Sequence, residues 1–283
     1  MRLGILTFVT DRSIDPIELA TALEERGFES MWVAEHTHIP VSRRSPYSGG
    51  EELPEMYWRA YDPIVALTAA AAVTERLLVG TGICLVAQRD PIILAKEVAC
   101  IDRLSGGRFV LGVGFGWNVE EMENHGVDPD DRWTLVREKV AAMRTLWRDD
   151  VAEFSGELVR FEPSWCWPKP TDPAGPTVFL GGNAGPRTVR HVVEYADGWF
   201  PNHTGPDVDA GLEALRREAE RVGRDPSTVR FMVPGPADPA FLEAEAARGC
   251  ERVLIGIPSA PRDVVLRHLD RHAALVQEWN RPD

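Results

Sequence analysis

The stretch 90-DPIILAKEVACIDRLSGGRFVLGVGFGW-117 contains one helix and the strand that follows it. Its first half carries apolar residues at helical spacing behind an Asp-Pro start, and its second half holds a short apolar run that is typical of a buried strand. The same alternation continues along the whole chain. It predicts eight strands, at residues 3–9, 30–36, 77–85, 108–114, 176–182, 197–202, 228–234 and 252–258.

Eight amphipathic segments follow these strands in turn. We predict helices at residues 15–27, 62–74, 90–105, about 130–149, 184–196, 207–224, 239–249 and 262–279. Strict alternation of strands and helices requires right-handed crossovers and a parallel sheet. The count of eight favours an α/β fold of the closed (β/α)8 TIM-barrel type over an open doubly wound sheet, with residues 1–283 as a single domain.

Two segments are longer than the connections of a minimal barrel. Residues 37–61 form an insertion after the second strand, and residues 151–175 carry a predicted hairpin before the fifth strand. Because barrel active sites form at the carboxyl ends of the strands, we predict that the first insertion is a lid over the site. Its residues Tyr57, Trp58 and Tyr61 are candidates for the roof of a pocket. The second insertion is expected at the opposite face, in a structural or interfacial role.

The composition argues against nucleic-acid and membrane partners. The 283 residues carry a formal net charge of -13, and no basic patch is present that could displace counterions from a phosphate backbone. No apolar run approaches the length of a membrane helix. The four scattered cysteines, which form no CxxC pair, are typical of reduced thiols and predict a cytoplasmic protein.

Three glycines, Gly112, Gly114 and Gly116, end the fourth predicted strand in a pattern similar to a dinucleotide-binding loop. A Rossmann fingerprint needs a helix that begins inside its GxGxxG, whereas the helical pattern begins here only around Glu120. We interpret the run as a strand end stripped of side chains, where a flat ligand can lie against the main chain. Tight packing inside a barrel is the alternative, and it is sufficient for Gly112.

The fifth predicted strand also ends in small residues, at Gly181, Gly182 and Asn183. Pro186 and Arg187 then open a helix, whose first N–H groups and partial positive charge suit an anion. We predict a phosphate site formed by Gly181, Gly182, Asn183 and Arg187. An ordinary strand-to-helix turn is the alternative interpretation.

Several motifs together resemble one known family. The chain is similar to the luciferase-like monooxygenase superfamily, and in particular to its branch of bacterial oxidoreductases that use coenzyme F420, a deazaflavin. The likeness spans nearly the whole chain in order. The motifs that carry it are SMWVAEH (30–36), GTGICLVAQRDP (80–91), LSGGRFVLGVGFGW (104–117) and FLGGNAGPRTVRHVVEYADGW (179–199).

The resemblance implies that the cofactor ring lies in the barrel mouth, against a bulge at the end of the third strand. In this family the bulge often contains a non-proline cis peptide bond, which would fall here between Gly82 and Ile83. We predict further cofactor contacts from Phe115 and Gly116. The resemblance also implies that the phosphate-bearing tail lies on the glycine-rich end of the fifth strand.

Glu35 and His36 end the second predicted strand. In related deazaflavin enzymes the matching pair touches the cofactor ring, so we predict Glu35 as a cofactor contact. His36 is the predicted catalytic acid or base, because imidazole titrates near neutral pH. His36 and His38 also form an HxH, and His203 could complete three ligands of a metal-dependent hydrolase. The rest of such a constellation is missing, and we predict no metal site.

The sequence therefore predicts an F420-dependent oxidoreductase that transfers a hydride between the deazaflavin and an unidentified small organic substrate. The protein would supply orientation, exclusion of water and one acid/base group, while the cofactor supplies the electronics. An FMN-dependent monooxygenase on the same fold is the first alternative. A metal-dependent hydrolase and a non-catalytic cofactor-binding homologue are the others. The family likeness favours a homodimer.

Overall fold

Eight parallel strands close into a barrel in the computed structural model, which describes residues 1–50, 52–202 and 206–280. In chain order the strands are β1 (Arg2–Thr7), β2 (Ser30–Val33), β3 (Leu78–Thr81), β4 (Phe109–Val113), β5 (Ala152–Ser155), β6 (Arg160–Ser164), β7 (Val178–Gly181), β8 (Gly198–Phe200), β9 (Arg230–Gly235) and β10 (Arg252–Gly256). Strands β5 and β6 form a separate antiparallel hairpin. The other eight pair in sequence order, and β1 closes the ring by pairing with both β2 and β10. The predicted TIM-barrel fold is confirmed.

Helices cover the outside of the barrel at all eight predicted places. In chain order the helices are α1 (Pro16–Glu25), α2 (Met56–Arg59), α3 (Pro63–Ala72), α4 (Pro91–Ser105), α5 (Val119–Asn124), α6 (Arg132–Arg148), α7 (Pro186–Tyr195), α8 (Pro206–Val222), α9 (Pro239–Ala247) and α10 (Arg262–Trp279). The short helix α2 was not predicted, and α5 begins at Val119, next to the helical pattern that the sequence shows around Glu120. None of the described helices is long and apolar enough to cross a membrane.

Asp-Pro pairs start α1, α3 and α4, as the sequence predicts, and a fourth such pair starts α9. The carboxylate of Asp90 accepts hydrogen bonds from the N–H groups of Ile92 and Ile93, both at 2.9 Å. Asp15 and Asp62 cap α1 and α3 in the same way. Proline follows each cap because the first helical residue has no use for its N–H group. The caps fix where each connection from a strand becomes a helix.

Side chains fill the barrel interior, so the barrel is not a channel. The fully buried Trp32 packs edge-on against Phe179 and Phe200, with ring centroids 6.4 and 6.1 Å apart. At the amino-terminal end of the strands, Arg252 lies 5.6 Å from the Trp32 ring and forms an ion pair with Glu29. Barrels of this type form their ligand sites beyond such a filled interior, at the carboxyl ends of the strands.

The second insertion lies against the outside of the barrel. The carboxylate of Glu138, on α6, accepts hydrogen bonds at 2.9–3.0 Å from the N–H groups of residues 157–159 in the hairpin turn. The chain then passes close to the end of α4, where the N–H of Thr171 donates to Asp102 at 2.6 Å. This contact lies at the amino-terminal face of the barrel, opposite the carboxyl ends, which is where the sequence places it.

Strands β3 and β4 approach each other closely at Gly112. A Cβ on this glycine would stand 2.0 Å from the carbonyl oxygen of Thr81. The Gly112 carbonyl in turn accepts hydrogen bonds from Thr81 Oγ1 and from the N–H of Cys84, both at 2.7 Å. Packing alone therefore requires a glycine here.

We expect Gly112→Ala to lower the free energy of unfolding by about 1–3 kcal/mol, because the added methyl group meets backbone that cannot yield. Urea denaturation measures this change. Gly256→Ala is the matched control, since a Cβ at this strand glycine meets no atom within 4 Å. Equal stability of the two variants would contradict the packing argument.

Candidate functional site

A cavity of about 560 Å³ opens at the carboxyl ends of the barrel strands, beneath the first insertion. Eight of the ten residues predicted for the site lie in its walls. They come from four strand ends and are Glu35, His36, Gly82, Ile83, Phe115, Gly116, Gly181 and Gly182. Asn183 lies in the wall of a second cavity, and Arg187 lines neither of the two.

A bulge follows β3 and forms part of the cavity wall. The peptide bond between Gly82 and Ile83 is cis, at the position that the family resemblance implied. The Ile83 side chain fills the space in front of two glycines, because a Cβ on Gly114 would stand 1.5 Å from its Cδ1 and one on Gly181 would stand 3.1 Å from its Cγ2. Gly114 therefore makes room for Ile83 and not for a ligand, which corrects our interpretation of that residue. Gly116 differs, since it has a φ of +79° and lines the cavity.

Glu35 is held by the protein on both of its oxygens. Oε2 accepts a hydrogen bond from the N–H of Leu85 at 2.7 Å, and Oε1 accepts from Arg89 Nε at 2.8 Å. The same guanidinium also bridges to Asp62 at 2.5 Å. Glu35 thus ties the segment after the bulge to the end of β2, and its carboxylate is neutralised by Arg89.

His36 is buried and fixed in orientation by a glutamate that the sequence analysis did not identify. Its Nδ1 lies 2.7 Å from Oε2 of Glu121, and the other Glu121 oxygen accepts a hydrogen bond from the N–H of Thr37 at 3.1 Å. A carboxylate only accepts, so Nδ1 carries the hydrogen of neutral His36. The indole N–H of Trp117 donates to Nε2 at 3.3 Å. Nε2 is therefore the basic nitrogen, in the wall of the cavity.

The position of Glu121 was partly readable from the sequence. Asn118 begins α5, and its side-chain oxygen accepts a hydrogen bond from the Glu121 N–H at 3.0 Å. An Asn followed three residues later by Glu is a helix-start signature. The signature says nothing about where the carboxylate points, and its partner His36 lies 85 residues earlier in the chain.

Aromatic rings surround His36 on the side of the first insertion. The Tyr57 ring lies 5.2 Å from the His36 ring, 4.8 Å from Phe8 and 6.2 Å from Trp117. Tyr47 packs against Tyr57 at 5.2 Å. Burial, and then the neighbouring Tyr47, raise the pKa of the Tyr57 hydroxyl, so it stays protonated. We call Phe8, Tyr47, Tyr57 and Trp117 the aromatic roof.

Only one of the three predicted roof residues of the first insertion lines the cavity. Tyr57 does so, whereas Trp58 and Tyr61 are largely exposed. Trp58 and Tyr61 do not line the cavity as predicted, because Trp58 lies on the outer face of α2 and Tyr61 follows the end of that helix. Tyr47, which the sequence analysis did not select, packs against Tyr57 instead.

The first insertion is fastened to α5 through a second buried glutamate, Glu120. Its carboxylate accepts hydrogen bonds from the Ser45 N–H at 3.0 Å and from the Ser45 hydroxyl at 2.5 Å. Arg44 also pairs with Glu123, at the surface. Burial by itself would raise the pKa of Glu120, but the hydrogen bonds from Ser45 outweigh it and lower that pKa from its usual 4.5.

The predicted phosphate site adjoins a second cavity of about 350 Å³. Gly182 lines the first cavity and Asn183 lines the second, so the two spaces lie on either side of one peptide unit. The indole N–H of Trp199 donates to the Gly182 carbonyl at 2.8 Å and holds this loop in place. Gly185 starts α7 without a capping side chain. Arg187 lies 5.2 Å over the Trp133 ring and does not line either cavity.

The HxH pair does not converge on one point. His38 Nδ1 lies 2.9 Å from the Thr37 hydroxyl and its Nε2 lies 3.0 Å from the Asn124 side chain, whereas His36 faces Glu121. Across the described ranges, no group of three or more His, Cys, Asp or Glu side chains is arranged to hold a metal ion. His203, the proposed third ligand, lies outside the described residues.

Sequence comparison assigns the family. The profile of the luciferase-like monooxygenases matches residues 9–280. The chain belongs to the luciferase-like monooxygenase family. Within this family, an uncharacterised protein of Mycobacterium tuberculosis is 40% identical over 279 residues, which cover 97% of this chain and 98% of that protein. The F420-dependent glucose-6-phosphate dehydrogenase of Nakamurella multipartita is 29% identical over 213 residues, 73% of this chain and 58% of that protein.

Solved structures of similar proteins share the barrel. Monooxygenase RslO1 from Streptomyces bottropensis superimposes with a TM-score of 0.80 at 19% identity, over 97% of this chain and 98% of that one. An F420-dependent secondary alcohol dehydrogenase, solved in complex with an F420–acetone adduct, superimposes with a TM-score of 0.77 at 18% identity over 100% of both chains. At such identities the likeness establishes the fold of this family member, and luciferase-like enzymes on this fold are oxidoreductases or monooxygenases.

We expect Glu121→Gln to reverse the tautomer of neutral His36. The introduced amide can donate to Nδ1, which leaves the ring hydrogen on Nε2 and removes the basic nitrogen from the cavity. Nitrogen-15 NMR of the histidine rings distinguishes the two tautomers. Glu123→Gln, on the same helix but paired with Arg44, is the control. An unchanged His36 spectrum in Glu121→Gln would contradict the role of Glu121.

We expect Glu120→Gln to loosen the first insertion, because a charge-assisted hydrogen bond worth about 1.5–3 kcal/mol is weakened. Limited proteolysis at neutral pH should cut residues 37–61 about ten-fold faster or more. Since the folded pKa is lowered, the carboxylate stabilises the folded state above pH 4.5 and loses this effect as the pH falls below 4.5. The difference between wild type and Glu120→Gln should therefore shrink in acid. A matching acceleration in Glu123→Gln would show that Glu120 has no special role.

Proposed function

We propose that this protein is an F420-dependent oxidoreductase that moves a hydride between the deazaflavin and a small organic substrate. The placement of His36 carries the proposal. Its Nδ1 is fixed by the buried Glu121, and its Nε2 lies in the wall of the cavity that the Gly82–Ile83 bulge also lines. An imidazole held in one orientation beside a ligand-sized cavity is suited to general acid–base catalysis.

The walls of the cavity fit a planar cofactor ring. Gly82, Ile83, Phe115 and Gly116 line it with main chain and apolar groups. Gln88 is buried, and neither polar atom of its amide has a hydrogen-bond partner among the described residues. Its nitrogen would lie 3.5 Å from a Cβ on Gly116. Gln88 packs behind this glycine and does not line the cavity, so the fit to a planar ring rests on Gly82, Ile83, Phe115 and Gly116.

The neighbouring loop suits an anionic tail. Gly181, Gly182 and Asn183 present main chain between the two cavities, and α7 begins directly after them with an uncapped first turn. N–H groups at a helix start bind phosphate through hydrogen bonds and the helix dipole. This local site would have to attract the phosphate, because the net charge of the chain is -13.

When bound, F420 would accept or deliver the hydride at its C5 carbon. The role of the protein in this reaction is to hold and move a proton at His36. Nε2 accepts the proton of a hydroxyl group that is being oxidised, and the imidazolium returns it to a carbonyl oxygen in the reverse reaction. Glu121 stabilises the imidazolium, and the Trp117 N–H leaves Nε2 as the substrate arrives. The aromatic roof excludes water from this proton transfer.

The choice of F420 over FMN is supported by the similar F420-dependent glucose-6-phosphate dehydrogenase. The same walls suit FMN, which has a ring of similar shape and a phosphate tail. Binding of FMN in place of F420 would therefore favour the alternative, an FMN-dependent monooxygenase. Titration of the purified protein with F420 and with FMN, followed by quenching of its nine tryptophans, separates the two.

We expect His36→Asn to bind F420 within about three-fold of wild type but to transfer hydride about 10²–10⁴-fold more slowly. Binding is followed by tryptophan quenching and turnover by the visible absorbance of the deazaflavin. The control is His38→Asn, because His38 does not line the cavity. Tight binding of FMN alone, or full turnover by His36→Asn, would refute the proposal.

A further inference from the structure

We infer that the substrate pocket takes an uncharged, largely apolar molecule that presents a single oxygen function to His36, and that it rejects phosphorylated and carboxylated substrates. The inference deepens the proposed function and rests on it for the role of His36. It is carried by the charges and hydrogen bonds of the cavity walls.

No described lysine or arginine lines the cavity. A buried phosphate or carboxylate needs a cationic partner, since desolvating an unpaired anion is costly. Arg89, which lies behind Glu35, is not available for this purpose. It is already bridged to Glu35 at 2.7 Å and to Asp62 at 2.5 Å.

The negative groups near the cavity are also neutralised or occupied. Glu35 is paired with Arg89, and Glu121 is bonded to His36 and Thr37. Neither carboxylate is left as an unpaired partner for a cationic substrate. An anionic substrate would find no free cation among the described residues of the wall, which opposes its binding.

The remaining hydrogen-bonding groups of the wall are mostly engaged with the protein. The Thr7 hydroxyl donates to the carbonyl of Ile257 at 3.1 Å, and the Ser259 hydroxyl lies 3.3 Å from that of Thr10. His36 Nε2 is held only by the long contact with Trp117. Among the buried polar side chains of the wall, it is therefore the atom that an entering substrate can most readily engage, while the exposed Asn202 side chain also lines the cavity.

Apolar surface surrounds this atom. Phe8, Tyr57 and Trp117 of the aromatic roof lie around His36, and Leu6 and Met56 line the same cavity. Flat rings and a thioether favour an aromatic or alicyclic skeleton through dispersion and burial of apolar area. The chemistry of the wall thus differs from what a sugar phosphate needs, although the chain is similar to a glucose-6-phosphate dehydrogenase.

Three ketones with one skeleton test the inference. They are acetophenone, para-acetylbenzoate and para-acetylphenyl trimethylammonium, which differ chiefly in charge. Isothermal titration calorimetry measures the binding of each to the protein with and without F420. We expect acetophenone to bind at least about ten-fold more tightly than either charged ketone. Equal or tighter binding of a charged ketone, or binding of none of the three, would overturn the inference.

A charge introduced into the wall provides a second measurement. Met56→Lys places an ammonium at the cavity, and we expect it to tighten para-acetylbenzoate binding by about five- to ten-fold while acetophenone gains nothing. Val41→Lys is the matched control, because Val41 lies on the same insertion but is 98% exposed. An equal gain in both variants would mean that the general field of the protein, and not the wall, sets the selectivity.

The readouts separate this inference from the proposed function. Binding of acetophenone without any oxidation of reduced F420 would refute the hydride transfer and leave the pocket selectivity intact. Turnover of para-acetylbenzoate or glucose 6-phosphate at the rate of a neutral ketone would overturn the selectivity and leave the hydride transfer intact.

Discussion

The close approach of the β3 end to β4 and β7 is the contact on which the cavity depends. The Thr81 carbonyl occupies the space in front of Gly112, and the Ile83 side chain lies in front of Gly114 and Gly181. Side chains at these glycines would push the bulge outward and separate the strand ends. The barrel interior is already filled around Trp32, so the cavity of about 560 Å³ lies at the rim that this bulge shapes.

Buried glutamates organise the irregular segments around that rim. Glu35 accepts from the N–H of Leu85, Glu120 from that of Ser45, and Glu121 from that of Thr37. On the outside of the barrel, Glu138 binds the hairpin turn in the same manner. A loop cannot pair its N–H groups with a neighbouring strand, and a carboxylate satisfies several of them at once. The loops around the cavity are therefore held in place by buried carboxylates.

These contacts set one histidine among seven apart from the others. His36 combines burial, an Nδ1 held by Glu121 and a place in the cavity wall. His38 is bonded to Thr37 and Asn124 at the surface, and His191 is half-buried among aromatic rings. Burial, and then nearby arginines, lower the pKa of His191 to about 4, so it stays neutral at physiological pH. The two histidines of the HxH motif, His36 and His38, thus lie in different environments although they are only two residues apart.

The sequence by itself determined the architecture, since periodicity, Asp-Pro caps and strand-end glycines are local signals and each acts within a few residues. It also placed eight of ten site residues at the cavity, because the carboxyl ends of parallel strands meet at one rim. Only the tertiary structure decided which side chains act together. Glu121 reaches His36 across 85 residues, Gly114 serves Ile83, and Arg187 lies over Trp133 instead of in a cavity wall. Such pairings depend on side-chain direction after the barrel has closed, and no local pattern encodes that direction.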